Sequence, residues 1–261
     1  MKQHFGRLFC ALFIISLTII SWRPLSTTLY KKHVNVPSSA KELFEKYISN
    51  IYMSAHLEDS GLDLDVLKKG ITGFINLKLS SKVPQQSSII TLIDLSKPSS
   101  EKRMWIIDVV KKELLLNTWV AHGEGSGDGK AYYFSDRQDS HASSLGFYLT
   151  DNVYYGKHGR SLKLEGLDMG FNGNARSREI VVHAAKYVSE GTIAKIGYLG
   201  RSYGCPAVSP AVADVVISTI KDNTVMFING YDESYFSKYL NEDQAADFVS
   251  QNYNDVVLAT L

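Results

Sequence analysis

Gly200-Arg201-Ser202-Tyr203-Gly204-Cys205-Pro206-Ala207-Val208 holds the only cysteine outside the extreme N-terminus. Glycines bracket a tight turn, an arginine stands four residues before the thiol, and a proline follows it. Two nucleophiles, Ser202 and Cys205, compete within this turn. Gly200 to Gly204 has the Gly-x-Ser-x-Gly form of an α/β-hydrolase elbow, in which an acid and then a histidine follow the serine. No histidine follows His183 here, so Ser202 lacks its base. Cys205 has one upstream: Ile180-Val181-Val182-His183 reads as a short strand ending in an imidazole, about twenty residues before the thiol. A thiol attacks as thiolate, and a neighbouring imidazole can take its proton. Gly204 lets the backbone turn so that the Gly204 and Cys205 N–H groups can face one point and bind an oxyanion. Pro206 has no N–H, which ends that hole, and it biases Cys205 toward an extended backbone. The plain alternative is a filler cysteine beside a satisfied core histidine. The residues alone leave both open.

Working outward, the 261 residues suffice for one large domain with a small helical addition. A hydrophobic share of 44%, a charged share of 21% and a net charge of +1 describe an ordinary globular chain and argue against nucleic-acid binding. Lys2 and Arg7 precede an apolar run, Leu8 to Trp22, broken only by Ser16, Thr18 and Ser21. That is the length of a signal-peptide core and short for a spanning helix, and no clear Ala-x-Ala site follows. Export is expected, by a cleaved signal or an uncleaved anchor in the inner membrane; a buried N-terminal helix is the alternative. Cys10 belongs to this run, so Cys205 has no partner in the exported domain. A lone thiol in an oxidising compartment is either buried or used.

Helical spacing of Leu43, Phe44, Tyr47, Ile48, Ile51 and Tyr52 predicts a helix capped by Ser38 or Ser39. A second is predicted from Asp63 or Asp65 to Leu79, with Leu64, Leu67, Ile71, Phe74 and Ile75 as its apolar face. Strands are then predicted at Ile89–Leu95, Met104–Val110 and Leu114–Ala121, buried on both faces, with another at Phe147–Thr150. Gly123 to Lys130 is glycine-rich but is no P-loop, because Glu124 occupies the first required glycine position and Ala131 the Ser/Thr position. It reads as a mobile rim loop. Gly156–Gly159 and Gly170–Gly173 read as turns. Ser209-Pro210 starts a helix to about Lys221, with Val212, Val215, Val216 and Ile220 inward, and Val225–Ile228 is a last core strand. The fold class is therefore mixed and mainly β with few helices. Its expected parts are a signal or anchor (1–22), a linker and helical segment (23–86), a catalytic domain (87–230) and an acidic tail (231–261).

Together these residues resemble the YkuD-like L,D-transpeptidases of bacterial cell walls, whose signature is a histidine followed at a distance by Ser/Thr-His-Gly-Cys. His183 and Ser202-Tyr203-Gly204-Cys205 occupy those places. The murein L,D-transpeptidase branch is similar also at Asp94-Leu95-Ser96-Lys97-Pro98-Ser99, Val120-Ala121-His122-Gly123, Ser143-Ser144-Leu145-Gly146-Phe147 and Gly200-Arg201-Ser202. Tyr203 replaces the signature's second histidine, and 18 residues separate His183 from Ser202, slightly more than usual. The resemblance implies a cofactor-free acyl transfer on peptidoglycan stem peptides. Cys205 would be nucleophile, His183 base and then acid, with an amine or water as acceptor and carbapenems as inhibitors. It also implies anion recognition of stem carboxylates. The candidates are Arg201, Arg176 and Arg178, with Ser202, Tyr203, His122 and His141 as further substrate residues. A non-catalytic peptidoglycan-binding module and a Ser202 hydrolase are the competing readings.

Overall fold

A computed structural model describes residues 39–252 of the chain. The N-terminal apolar run, Cys10 and the Ser38 cap lie outside the described residues. Helix α1 (Ala40–Ser54) is capped by the Ser39 hydroxyl, which accepts the Glu42 N–H, and α2 (Leu64–Leu79) by the Asp63 carboxylate, which accepts the Asp65 N–H. Eight strands follow: β1 (Ile89–Asp94), β2 (Met104–Asp108), β3 (Glu113–Thr118), β4 (Gly146–Gly156), β5 (Gly159–Gly166), β6 (Val181–Ala184), β7 (Ala207–Val208) and β8 (Val225–Asn229). Between them stand α3 (Glu190–Ile196) and α4 (Pro210–Ile220), and α5 (Glu242–Gln251) ends the described chain. No described helix is long and apolar enough to cross a membrane.

All eight strands form one sheet, ordered β3-β2-β1-β8-β4-β5-β6-β7. Only β1–β8 and β6–β7 are parallel. Alternation along the central strands feeds two cores. Ile90, Leu92, Trp105, Ile107, Phe147, Val225 and Phe227 point to a helical layer built from α1, α2 and α5. Ile93, Met104, Ile106, Tyr148, Met226 and Ile228 point to the other face, which α4 covers with Ala213, Val216, Ile217 and Ile220. The acidic tail is thus partly structural, because Ala245, Ala246 and Val249 of α5 pack into the helical layer. Helix α2 lies close on the sheet because Gly73 leaves room for a ring: a Cβ there would fall 2.0 Å from Phe147 Cζ.

The sheet also closes on itself. Ala121, just past β3, bridges Ala207 of β7, and Gly123 bridges Ser202. Several predicted boundaries change. β3 is an edge strand with partly exposed residues, not buried on both faces. β4 runs to Gly156, and the predicted Gly156–Gly159 turn joins it to β5, a further strand that pairs with it. In α4, Val215 is exposed, and Ala213 and Ile217 take its inward place.

Candidate active site

The turn that opens the sequence reading is clamped on two sides. Ser202 N–H donates to the His122 carbonyl at 3.0 Å, Glu124 N–H to the Ser202 carbonyl at 2.8 Å, and Ala121 N–H to the Ala207 carbonyl at 2.8 Å. Inside the turn, Ser202 Oγ donates to the Cys205 carbonyl at 2.6 Å and accepts the Gly204 N–H at 3.2 Å. Ser202 is thus buried and committed to the turn, which leaves no free hydroxyl for a hydrolase elbow. Gly204 has φ +113°, and a Cβ there would lie 2.8 Å from the Ala142 carbonyl, so the position admits only glycine. Of the two N–H groups expected to bind an oxyanion, that of Gly204 donates to Ser202 Oγ and that of Cys205 has no partner among the described residues.

Parallel pairing of β6 and β7 sets His183 opposite Ala207, two residues past the thiol. Both His183 and Cys205 line one open cleft of about 950 Å³. The thiol itself faces the turn before β6. It accepts the Val181 N–H at 3.5 Å and donates to the Glu179 carbonyl at 3.7 Å. Burial pushes its pKa up, against the pull of the Val181 N–H and of the Arg178 and Lys157 charges. At rest the sulfur is therefore a thiol. His183 Nδ1 stands 2.9 Å from the Ala184 carbonyl and donates to it, which leaves the lone pair on Nε2. Burial holds the imidazole below the ordinary histidine range, and the nearby His158 and Lys157 push the same way, only partly offset by the Ala184 carbonyl. His183 at rest is a neutral base. His158, from the β4–β5 turn, lies flat on it with ring centroids 4.1 Å apart and planes at 22°.

The other predicted residues divide. His122 is 1% exposed and outside the cleft. Its Nδ1 accepts from Arg103 Nη2 at 2.7 Å and its Nε2 faces the Gly127 carbonyl at 3.1 Å, so both ring nitrogens are spent on structure. Burial, with Arg103 beside it, lowers its pKa to about 4. Arg178 lines the cleft, but its side chain is only 3% exposed and both its terminal nitrogens are bonded within the protein. Nη1 donates to the Ser135 carbonyl and Ser144 Oγ, and Nη2 to Ser140 Oγ and the Ala142 carbonyl. It acts as a fixed positive charge beside the thiol rather than a free anion clamp. Arg201 reaches the cleft while paired to Asp128, and Arg176 while paired to Asp151 and Glu165. His141 also lines the cleft, with Nδ1 2.9 Å from Glu124 Oε1. Its ring stacks on Tyr203, centroids 4.1 Å apart, so the tyrosine that replaces the signature histidine rests against another imidazole.

Sequence reasoning missed His158, Tyr187, Glu124 and Arg103. His158 sits in a segment legible only as a turn, and its neighbour His183 is 25 positions away on another strand. Tyr187 packs its Cβ where a Gly200 side chain would be and lines the cleft near the thiol; burial raises its pKa to about 12. Among the described residues no cluster of three metal-ligating side chains exists.

Residues 58–229 match the family described as L,D-transpeptidase catalytic domain. No curated relative matches the chain by sequence. Among solved structures, an L,D-transpeptidase from Mycobacterium smegmatis is similar at 11% identity and a TM-score of 0.33, over 54% of this chain and 58% of that one. The L,D-transpeptidase LdtMt1, in complex with imipenem, is similar at 12% identity and 0.33 over the same shares. The helical cell shape determining protein Pgp2 from Campylobacter jejuni is similar at 13% and 0.39, over 71% of this chain and 64% of that one. The chain thus spans under two thirds of the length of each of these three relatives. With the family matched across α2 and the entire sheet, this chain belongs to the L,D-transpeptidase catalytic-domain family.

Proposed function

We propose that this chain is an exported cell-envelope transpeptidase that acylates Cys205 with a peptidoglycan tetrapeptide stem, releases D-alanine and passes the acyl group to an amine or to water. One observation carries the reading: the lone thiol and an imidazole with its Nδ1–H pinned open onto the same cleft inside the matched domain. The reaction begins as the thiol leaves the Glu179 carbonyl and gives its proton to His183 Nε2. The sulfur then attacks the stem carbonyl, and the Cys205 N–H supports the oxyanion. As the C–N bond breaks, the His183 imidazolium protonates the departing amine, leaving a neutral base and a thioester. Arg178 steadies the negative sulfur from a fixed position, and this favours a charged transition state over the uncharged resting thiol. Export is inferred from the apolar N-terminal run, and carbapenem sensitivity from the family. Incubation of the full chain with a purified tetrapeptide muropeptide tests the reading: mass spectrometry should find the acyl group on Cys205 and free D-alanine. A Cys205→Ala chain that still releases D-alanine overturns it.

A further inference from the structure

The mechanism above leaves the far rim of the cleft without a task, and that rim is built with care. The glycine-rich loop turns at Glu124–Ser126, and Gly125 N–H donates to the His141 carbonyl at 3.0 Å. Gly123 makes room for this contact: a Cβ there would fall 2.3 Å from the His141 carbonyl oxygen and 2.8 Å from Gly204 N. His141 is therefore locked beside the nucleophile turn, and it keeps φ +51°, a left-handed backbone that costs a non-glycine residue energy. The ring is fixed as well. Its Nδ1–H donates to Glu124 Oε1, its face lies on Tyr203, and Nε2 is the ring atom left to accept a proton.

The cleft is mixed in charge, for Arg176, Arg178, Arg201 and Glu179 line it too, with the arginines already bonded or ion-paired within the protein. Lys157, His158 and Lys163 reach it from the β4–β5 hairpin, on the His183 side. Glu124 and Asp139 reach it from the loops that carry His141. A carboxylate-bearing donor suits the first side, and an ammonium suits the second.

We propose that Glu124 and His141 form the acceptor site, which binds the primary ammonium of a second stem peptide and removes its proton for attack on the Cys205 thioester. This rests on the cysteine reading above. The Glu124 and Asp139 carboxylates draw the ammonium in and favour its charged form; desolvation in the cleft works the other way, and the first proton passes to water before attack. The neutral nitrogen forms the C–N bond, its second proton passes to His141 Nε2, and the C–S bond breaks to return a thiolate. His141 then holds one proton more and the sulfur one electron pair more, so charge balances; the proton leaves to solvent. Glu124 orients and stabilises the imidazolium in the way a carboxylate supports a catalytic histidine.

The test separates the two half-reactions in the full chain. A tetrapeptide muropeptide serves as donor and glycinamide, an amine without a carboxylate, as acceptor. Acyl-enzyme mass and amide product are followed over time for the unaltered protein, His141→Gln and Glu124→Gln. The expected result is acylation of Cys205 at an unchanged rate in both variants, while aminolysis falls by about 10²-fold in His141→Gln and less in Glu124→Gln, so acyl-enzyme accumulates. Unchanged aminolysis in both variants overturns the acceptor site and leaves the thioester reading standing. Parallel loss of acylation and aminolysis also overturns it, assigning the pair to the shape of the nucleophile turn. Failure of the unaltered chain to acylate at all removes both proposals together.

Discussion

Two buried histidines, His183 in β6 and His122 in the segment that bridges to β7, are bonded in different ways. His122 spends Nδ1 on Arg103 and Nε2 on the Gly127 carbonyl, and it is sealed from the cleft. His183 spends only Nδ1, on the Ala184 carbonyl, has no hydrogen-bond partner for Nε2 among the described residues, and lines the cleft that Cys205 shares. Both are held neutral by burial. What separates the proposed base from the structural imidazole is therefore one uncommitted nitrogen, and neither burial nor depressed basicity. The arginines repeat the lesson: Arg178, nearest the thiol, has both terminal nitrogens bonded, while Arg201 and Arg176 stand at the surface in exposed ion pairs.

The largest test of that contrast exchanges the two bases. His183→Gln should slow acylation of Cys205 by a carbapenem by about 10²- to 10⁴-fold, as loss of a general base does. His122→Gln should leave the folded protein able to acylate while lowering its melting temperature. Equal loss of acylation in both would erase the distinction.

Acid should then separate them by observable. His122 has its folded pKa near 4 against an ordinary value near 6.5, so the unfolded chain binds the extra proton first. Its contribution to stability is complete above about pH 6.5 and falls by about 3 kcal/mol as pH drops toward 4. Urea titrations across this range should show that slope, and His122→Gln should flatten it. His183 should show itself instead in the acid limb of the acylation rate, displaced below the usual histidine range because only its neutral form accepts the proton.

A smaller effect tests the His158 stack. We expect His158→Ala to reduce acylation by about fivefold, the size of a lost aromatic contact of ~1 kcal/mol, and His158→Phe to restore most of it. Restoration marks a positioning role through the ring face; its absence would show that the imidazole nitrogens matter. The smallest concerns fold alone. Gly73→Ala should cost about 1–3 kcal/mol by forcing the Phe147 ring aside, with acylation of the folded fraction untouched.

Legibility followed locality. The Ser209-Pro210 cap, the helical stripes of α1 and α2 and the apolar strands β1, β2 and β8 depend on neighbours in sequence and were readable. Cys205 and His183 stood out as a proposed pair because so few residue types can do that chemistry, and both line one cleft. β5 was hidden because Gly-Arg-Ser-Leu-Lys-Leu-Glu-Gly is charged and short; its strand form comes from pairing with β4 and β6. The roles of His122 and Arg178 were hidden for a related reason. A side chain's type states what bonds it can make, and only tertiary structure states which are already made. The same limit concealed that Ser202 takes the Gly204 N–H, a bond decided by one side-chain rotamer.

The closure of the sheet at Ala121–Ala207 and Gly123–Ser202 carries a consequence for how the enzyme matures. These bridges join positions some eighty residues apart in the chain, across most of the strands. Contacts of such long range are entropically late to form, so the reactive turn should be among the last pieces to acquire its shape. Until every strand is in place, the chain would carry a thiol without the site that puts it to use. Acylation competence becomes a clock for completed folding, and fragments lacking either seam should be chemically silent.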